Sequence, residues 1–337
     1  MIYTKTPFRM SFFGGGTDMQ EYFTEYGGAV LSTTFDKYCY VSVRHLPKFF
    51  EYRNQLTYSK IEKTINVDDF EHPMVRNAMK YLDMHDLCIS YDADLPARSG
   101  LGSSSSFAVG LLNAFHALKG QYVGKEQLSK EAIHVERVMC AESGGWQDQI
   151  AAAYGGMNRI TFKDDGFEVT PVIIQQSRKQ KLNQNLLMFF TGFSRFSSDI
   201  EKDKSASFKT KISELHEIAK LVDMGENILT DRHGNLDEFG RLLHYTWQLK
   251  RSIGSKVSTD SLDYIYQKAL KHGALGGKLL GAGGGGFFIF YTPRERQDEV
   301  REALKDLLYI PFQFEDSGTQ ILYYHPEDYN IDYKGAK

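Results

Sequence analysis

Cysteine is scarce in this 337-residue chain: three residues, Cys39, Cys88 and Cys140, in apolar or mixed stretches. An odd, sparse set argues against a disulfide framework and suits free thiols in a reducing compartment. No Cys-x-x-Cys pair occurs, so a structural zinc is not expected. Positive charge is not in excess either. Lys and Arg total 40 against 43 Asp and Glu, the net charge is −3, and no long basic run occurs. Such a chain offers no field for a nucleic-acid backbone, and no nucleic-acid partner is expected. No apolar run approaches the length of a membrane span, and Met1 to Pro7 lack the apolar core of a signal peptide. The expectation is a cytoplasmic protein with no membrane partner.

The common nucleotide motifs are also missing. Gly277-Lys278 is followed by Leu279, which breaks a Walker A loop, and neither H-R-D nor D-F-G of the protein kinases is present. Gly281-Ala282-Gly283-Gly284-Gly285-Gly286 satisfies G-x-G-x-x-G formally. It opens the strand-like Phe287 to Tyr291, however, whereas the dinucleotide fingerprint should open a helix.

What is present is ordinary globular material, 42% hydrophobic and 25% charged, long enough for about two domains. Tyr38 to Arg44 alternates as a half-buried strand, 72–84 reads as a helix, and Cys88 to Asp94 reads as a strand. A helix is expected over Leu128 to Ala141, and short strands over Met157 to Phe162 and Phe167 to Ile174. The polar run Ser177-Arg178-Lys179-Gln180-Lys181 is the strongest break, dividing the chain into 1–178 and 179–337. After it come a strand (186–190), helices near 199–225, 236–252 and 260–271, a charged helix (295–306) and a last strand near 319–324. Mixed elements without a βαβ rhythm indicate α+β in both halves.

Four segments carry chemistry. Pro96-Ala97-Arg98-Ser99-Gly100-Leu101-Gly102-Ser103-Ser104-Ser105-Ser106 runs into the helix-periodic Phe107, Leu111, Phe115 and Leu118. Its serines therefore sit at a helix N-terminus, where unpaired amides and the dipole favour an anion. A plain Ser-capped helix is the alternative, but one cap needs one serine. Second, Gly14-Gly15-Gly16-Thr17-Asp18 converges backbone amides, a hydroxyl and a carboxylate, as a polyhydroxy ligand requires; a tight turn capping the helix at Met19 to Tyr26 competes. Third, Glu136 shares a helical face with Ala132 and Cys140 and is expected to point inward, where it needs a cation or donors. Asp148 follows the Gly-rich Ser143 to Trp146, where a general base could be displayed. Ordinary surface ionisation is the alternative for both. The fourth is the glycine run 281–286.

In this order and spacing the segments resemble the GHMP kinase superfamily over nearly the whole chain. Pro96 to Ser106 looks like its P-x-x-x-G-L-G-S-S phosphate loop, Gly281 to Gly286 like its C-terminal glycine motif, and Pro7 to Asp18 like its N-terminal sugar-kinase motif. The Gly-Gly-Gly-Thr-Asp segment, Gln147-Asp148-Gln149 and Thr191-Gly192-x-x-Arg195 look most like the bacterial heptose kinases, and the L-fucose kinase domain shares most of these features. The resemblance implies an N-terminal α+β domain like the second domain of ribosomal protein S5, a ferredoxin-like C-terminal domain, and an active site between them.

It further implies an ATP- and Mg²⁺-dependent sugar kinase. Its acceptor would be the anomeric hydroxyl of D-glycero-D-manno-heptose 7-phosphate, feeding GDP-heptose synthesis for surface polysaccharide. An L-fucose or related hexose 1-kinase and a catalytically silent binding protein of the same fold are the alternatives, and a decarboxylase of the superfamily fits poorly. Carried over, Pro96, Gly100, Leu101, Gly102, Ser103, Ser104, Ser105 and Ser106 would hold the ATP phosphates. Ser104, or a neighbouring serine, and Glu136 would ligate Mg²⁺. Asp148 would accept or orient the sugar hydroxyl and Arg9 would stabilise transferring charge. Gly15, Gly16, Thr17, Asp18, Gly283 and Gly284 would hold the sugar, with Arg195 a candidate for its phosphate. The expected partner is a small sugar phosphate; a homodimer stays open.

Overall fold

The computed structural model describes residues 1–97, 99–192, 211–253, 257–281 and 283–326. The first sheet is founded on β1 (Ile2–Phe13) and β2 (Gly28–His45), antiparallel and joined through the short helix α1 (Gln20–Tyr26). Residues alternate in burial at the start of β1, then every side chain from Thr6 to Phe13 is buried, because both faces become covered. The register slips between Pro7 and Phe8. Proline cannot donate to the ladder, so a bulge suits it there, and bulges re-aim the residues that follow. Arg9 is two residues on.

Strands β3 (Asn54–Thr57), β4 (Ile61–Thr64) and β5 (Leu87–Ala93) extend this sheet beyond β2, with helix α2 (Pro73–Tyr81) between β4 and β5. Helix α3 (Ser103–Leu118) is buried almost throughout and packs on β1 and β2, which explains its apolar residues on more than one face. Helix α4 (Lys125–Ile133) continues into one π-helical stretch, His134–Met139, then α5 (Gln147–Tyr154) returns toward the sheet. The single helix expected over 128–141 is thus two pieces. The wider turn carries Glu136, and π-bulges of this kind concentrate at functional sites.

Strands β6 (Asn158–Lys163) and β7 (Gly166–Pro171) complete the first half. The polar run at 177–181, the expected break, lies within helix α6 (Gln176–Gln184). Only Leu182 and Asn183 of that helix are buried, so its composition reads as a break while its backbone stays helical.

The second sheet is antiparallel, in the order β11 (Leu308–Ile310), β8 (Leu186–Gly192), β10 (Gly286–Tyr291), β9 (Gly276–Leu279). Helices α7 (Ile212–Thr230), α8 (Asp237–Ile253), α9 (Asp260–Lys271) and α10 (Gln297–Ala303) accompany it. The chain then returns to the first sheet: β12 (Phe314–Glu315) pairs with β2 and β13 (Gln320–Tyr324) with β1. The architecture is α+β, as expected. One continuous core runs from Phe8, Phe12 and Phe13 through Phe239, Leu243 and Tyr291. Lys278 of β9 adds a polar tie across the halves, donating to the Phe12 carbonyl at 2.9 Å. Among the described residues no helix is long and apolar enough to cross a membrane.

Candidate active site

Arg9 and Asp148 come from opposite ends of the first half, and the fold brings them face to face. Arg9 Nε donates to Asp148 Oδ1 and Nη2 to Oδ2, both at 2.7 Å, the bidentate geometry that a planar guanidinium and a carboxylate match best. The third arm, Nη1, donates to the Gly100 carbonyl at 2.7 Å. One buried cation therefore links the phosphate loop to the carboxylate. Arg9 is 5% exposed, while the Asp148 side chain keeps 21% exposure and so still reaches solvent.

The phosphate loop presses against this pair. Gly102, the N-cap of α3, adopts a left-handed backbone, and a Cβ placed on it would lie 3.2 Å from Asp148 Oδ2. Having no side chain, Gly102 leaves the first-turn amides of α3 without a side-chain cap. The serines divide their work. Ser106 Oγ donates to the Pro7 carbonyl at 3.0 Å and Ser105 Oγ to Glu136 Oε2 at 2.7 Å, while Ser104 is exposed. Pro96 closes the loop start, accepting from Ser99 Oγ at 2.7 Å; Leu101 is buried, and its carbonyl accepts the Arg9 amide. Ser103 lies buried beside Gly102.

Glu136 is 1% exposed and accepts from Ser105 and the Gln149 amide, both neutral donors. Among the described residues only these neutral donors meet the Glu136 carboxylate, which leaves a buried charge incompletely compensated and suits a hard cation. The serine facing it is Ser105, not Ser104. Among the described residues no group of three or more His, Cys, Asp or Glu side chains converges as a metal cage. Magnesium, which takes one or two protein oxygens and fills the rest with water and phosphate, fits that spareness.

The Gly-Gly-Gly-Thr-Asp turn stands behind Asp148. Thr17 is buried; its hydroxyl lies 2.8 and 2.9 Å from the Gly14 and Ala29 carbonyls, to which it can donate, and so braces the turn internally. Asp18 is 3% exposed and accepts from the Gly16 amide at 2.9 Å and the Gln147 amide at 3.4 Å. Burial pushes its carboxyl above the ordinary aspartate range, and the nearby Asp148 charge adds to that. It lies so close to Gly145 that a Cβ there would sit 1.8 Å from Oδ2, so the glycine before Trp146 is a steric requirement. Gly15 is half-buried, and a Cβ there would lie 3.8 Å from Ser11 Oγ and 3.9 Å from Gln147 Nε2; among the described residues Ser11 Oγ and Gln147 Oε1 are buried without a hydrogen-bond partner.

The second glycine run joins from the other half. A Cβ on Gly281 would lie 2.2 Å from Gly100 Cα, and one on Gly286 2.2 Å from the Ser99 carbonyl oxygen, so the two glycine-rich loops touch backbone to backbone. A Cβ on Gly283 would lie 2.9 Å from Val257 Cα, and the Gly284 amide donates to the Val257 carbonyl at 3.1 Å. Arg195 lies outside the described residues.

Residues 72–156 match the GHMP kinases N terminal domain, and residues 226–310 match the GHMP kinases C terminal domain. A D-glycero-alpha-D-manno-heptose 7-phosphate kinase of Campylobacter jejuni is 30% identical over 95% of this chain and 98% of its own length. The chain belongs to the GHMP kinase family. As a GHMP kinase it also resembles a D-glycero-D-manno-heptose 1-phosphate kinase from Bacteroides thetaiotaomicron, with a TM-score of 0.79 and 26% identity, covering 96% of this chain and 100% of that one. A bifunctional fucokinase/GDP-fucose pyrophosphorylase of Arabidopsis thaliana is 27% identical over 67% of this chain but only 22% of its own length. The protein is accordingly an ATP-dependent sugar kinase.

Sequence reasoning does not reach Ser105 as the partner of Glu136, nor the contacts of Gln149, Lys278 and Lys250. The four adjacent serines give no signal of which one faces Glu136; only the phase of α3 does. Gln149 is visible inside Gln147-Asp148-Gln149, and Lys278 inside the segment that leads to the glycine run, but nothing local marks either as a contact.

Proposed function

We propose that this GHMP kinase transfers the γ-phosphoryl group of ATP to the anomeric hydroxyl of D-glycero-D-manno-heptose 7-phosphate. The observation that carries the reading is the Arg9–Asp148 pair set against Gly102, which puts a partly exposed carboxylate beside the N-terminus of α3, left without a side-chain cap. The full-length likeness to a heptose 7-phosphate kinase supports the choice of sugar.

In this reading the triphosphate lies along Gly100–Ser106, held by the uncapped amides of α3. The sugar rests over Gly15 and Gly16 with its 1-hydroxyl toward Asp148. Asp18, already committed to backbone amides, fixes the shape of that wall. Asp148 takes the hydroxyl proton as the sugar oxygen bonds to the γ-phosphorus, the bond to the β–γ bridging oxygen breaks, and ADP leaves with that electron pair. Glu136 and Ser105 would hold Mg²⁺, which when bound neutralises charge on the β- and γ-phosphates. Arg9 keeps the carboxylate in one orientation and places a fixed positive charge beside the transfer.

A second reading, an L-fucose 1-kinase, is favoured by the likeness to the bifunctional plant fucokinase. An ADP-release assay across heptose 7-phosphate, L-fucose and D-galactose separates the two. Turnover of the heptose phosphate with far higher kcat/KM is expected; robust turnover of a neutral hexose with none on the heptose phosphate would overturn the first reading.

A further inference from the structure

Lys250 lies on α8, distant in sequence from the phosphate loop and from both carboxylates. Its Nζ donates to the Leu279 carbonyl at 3.0 Å and to the Gly281 carbonyl at 2.5 Å, where β9 ends and the glycine run begins. These are backbone acceptors at the sheet's end, where one ammonium with several donors can take both. Gly281 in turn lies flush on Gly100: a Cβ on Gly100 would sit 2.4 Å from the Leu280 carbonyl oxygen, and one on Gly281 2.2 Å from Gly100 Cα. The Gly100 carbonyl receives Arg9 Nη1 at 2.7 Å, and Arg9 holds Asp148. One line of contacts therefore joins Lys250, Gly281, Gly100, Arg9 and Asp148.

We infer that Lys250 is a positioning residue for phosphoryl transfer, clamping the second glycine run onto the phosphate loop. Consecutive glycines lose more backbone freedom on ordering than any other residue, so this run does not hold its place unaided. A pair of charge-assisted hydrogen bonds is strong enough to hold its first residue. Because Gly281 and Gly100 meet without side chains between them, a shift of one moves the other. Misplacement of a phosphate cradle by about 1 Å is enough to cost roughly 100-fold in rate.

The test is the series Lys250→Arg, Lys250→Gln and Lys250→Met, which keeps the donors and charge, keeps one neutral donor group, or keeps only the stem. Affinity for Mg·ATP alone, read by titration calorimetry, makes the result independent of which sugar is the acceptor. Wild type, then Arg, Gln and Met, should show progressively weaker Mg·ATP binding, about tenfold from first to last. KM for ATP should follow, while KM for the sugar stays within about twofold, a split that general loosening of the fold would not produce. A flat series in Mg·ATP affinity, equal increases in both KM values, or an Arg variant no better than Met would overturn the inference. If Lys250→Met does not fold, the Arg-to-Gln step decides in its place: weaker Mg·ATP binding by Gln than by Arg is expected, and equal binding would overturn the inference.

Discussion

Replacing Asp148 by Asn asks whether that carboxylate takes part in the chemistry or only anchors Arg9. The structural cost follows from the geometry. Asn retains one oxygen for Arg9 and turns an NH₂ toward a guanidinium donor, so one of two 2.7 Å bonds is lost and the other is no longer made to an anion. Each charge-assisted bond contributes about 1.5–3 kcal/mol when buried, and the 21% exposure of the Asp148 side chain lets water recover part of it. A net loss of about 2–3 kcal/mol results. Against a typical total of about 5–15 kcal/mol, the variant remains overwhelmingly folded, so any large rate loss is not unfolding. Removing a general base costs about 10²–10⁴ in rate, or roughly 2.7–5.4 kcal/mol of barrier. ADP release at saturating ATP and sugar, with a melting curve on the same sample, reads both effects. The expectation is a kcat lower by at least about 100-fold with Mg·ATP affinity nearly unchanged. A folded variant with kcat within about threefold of wild type would remove Asp148 from the mechanism.

Other perturbations probe the neighbouring parts. Glu136→Gln and Ser105→Ala should each raise the Mg²⁺ concentration needed for half-maximal rate, with Ser104→Ala the mildest of the three; a Ser104 effect exceeding that of Ser105 in a magnesium titration would reverse the assignment drawn from the 2.7 Å Ser105–Glu136 bond. Gly100→Ala should disrupt both glycine loops, since its Cβ would lie 2.4 Å from the Leu280 carbonyl oxygen at a backbone φ of +82°; a variant with wild-type melting temperature and ATP affinity would contradict that contact. His72 packs edge-on against Phe107 just beyond the serines, and burial lowers its pKa below the ordinary 6.5, with Glu62 partly opposing. The unfolded state therefore binds its proton first: stability is full above about pH 7 and falls as pH drops through 6.5 toward the lower folded value, by at most about 1.4 kcal/mol per pH unit. Melting curves from pH 5 to 8 should show this slope reduced in His72→Phe; an unchanged slope would exclude His72 as its source.

What the sequence determined by itself was whatever local chemistry imposes. The strand and helix periods of Cys88 to Asp94 and Phe107 to Leu118, the α+β mixture, and the serines at a helix N-terminus all follow from side-chain spacing and backbone preference within a few residues. An inward-pointing Glu136 was legible in the small residues around it. The tertiary structure alone decided what meets what. Arg9 and Asp148 lie 139 positions apart, and a slip in β1 register and the packing of α5 turn them into a bidentate pair. Four equivalent serines include one carboxylate partner, one brace on Pro7 and one exposed hydroxyl, because helical phase against Glu136 sorts them. The polar segment at 177–181 is a helix since its few apolar contacts suffice, and the last strands return to the first sheet since β1 and β2 leave backbone groups for them to pair. Local pattern fixes which residues can do chemistry; long-range pairing, whose loop-closure cost no short window records, fixes which of them do it together.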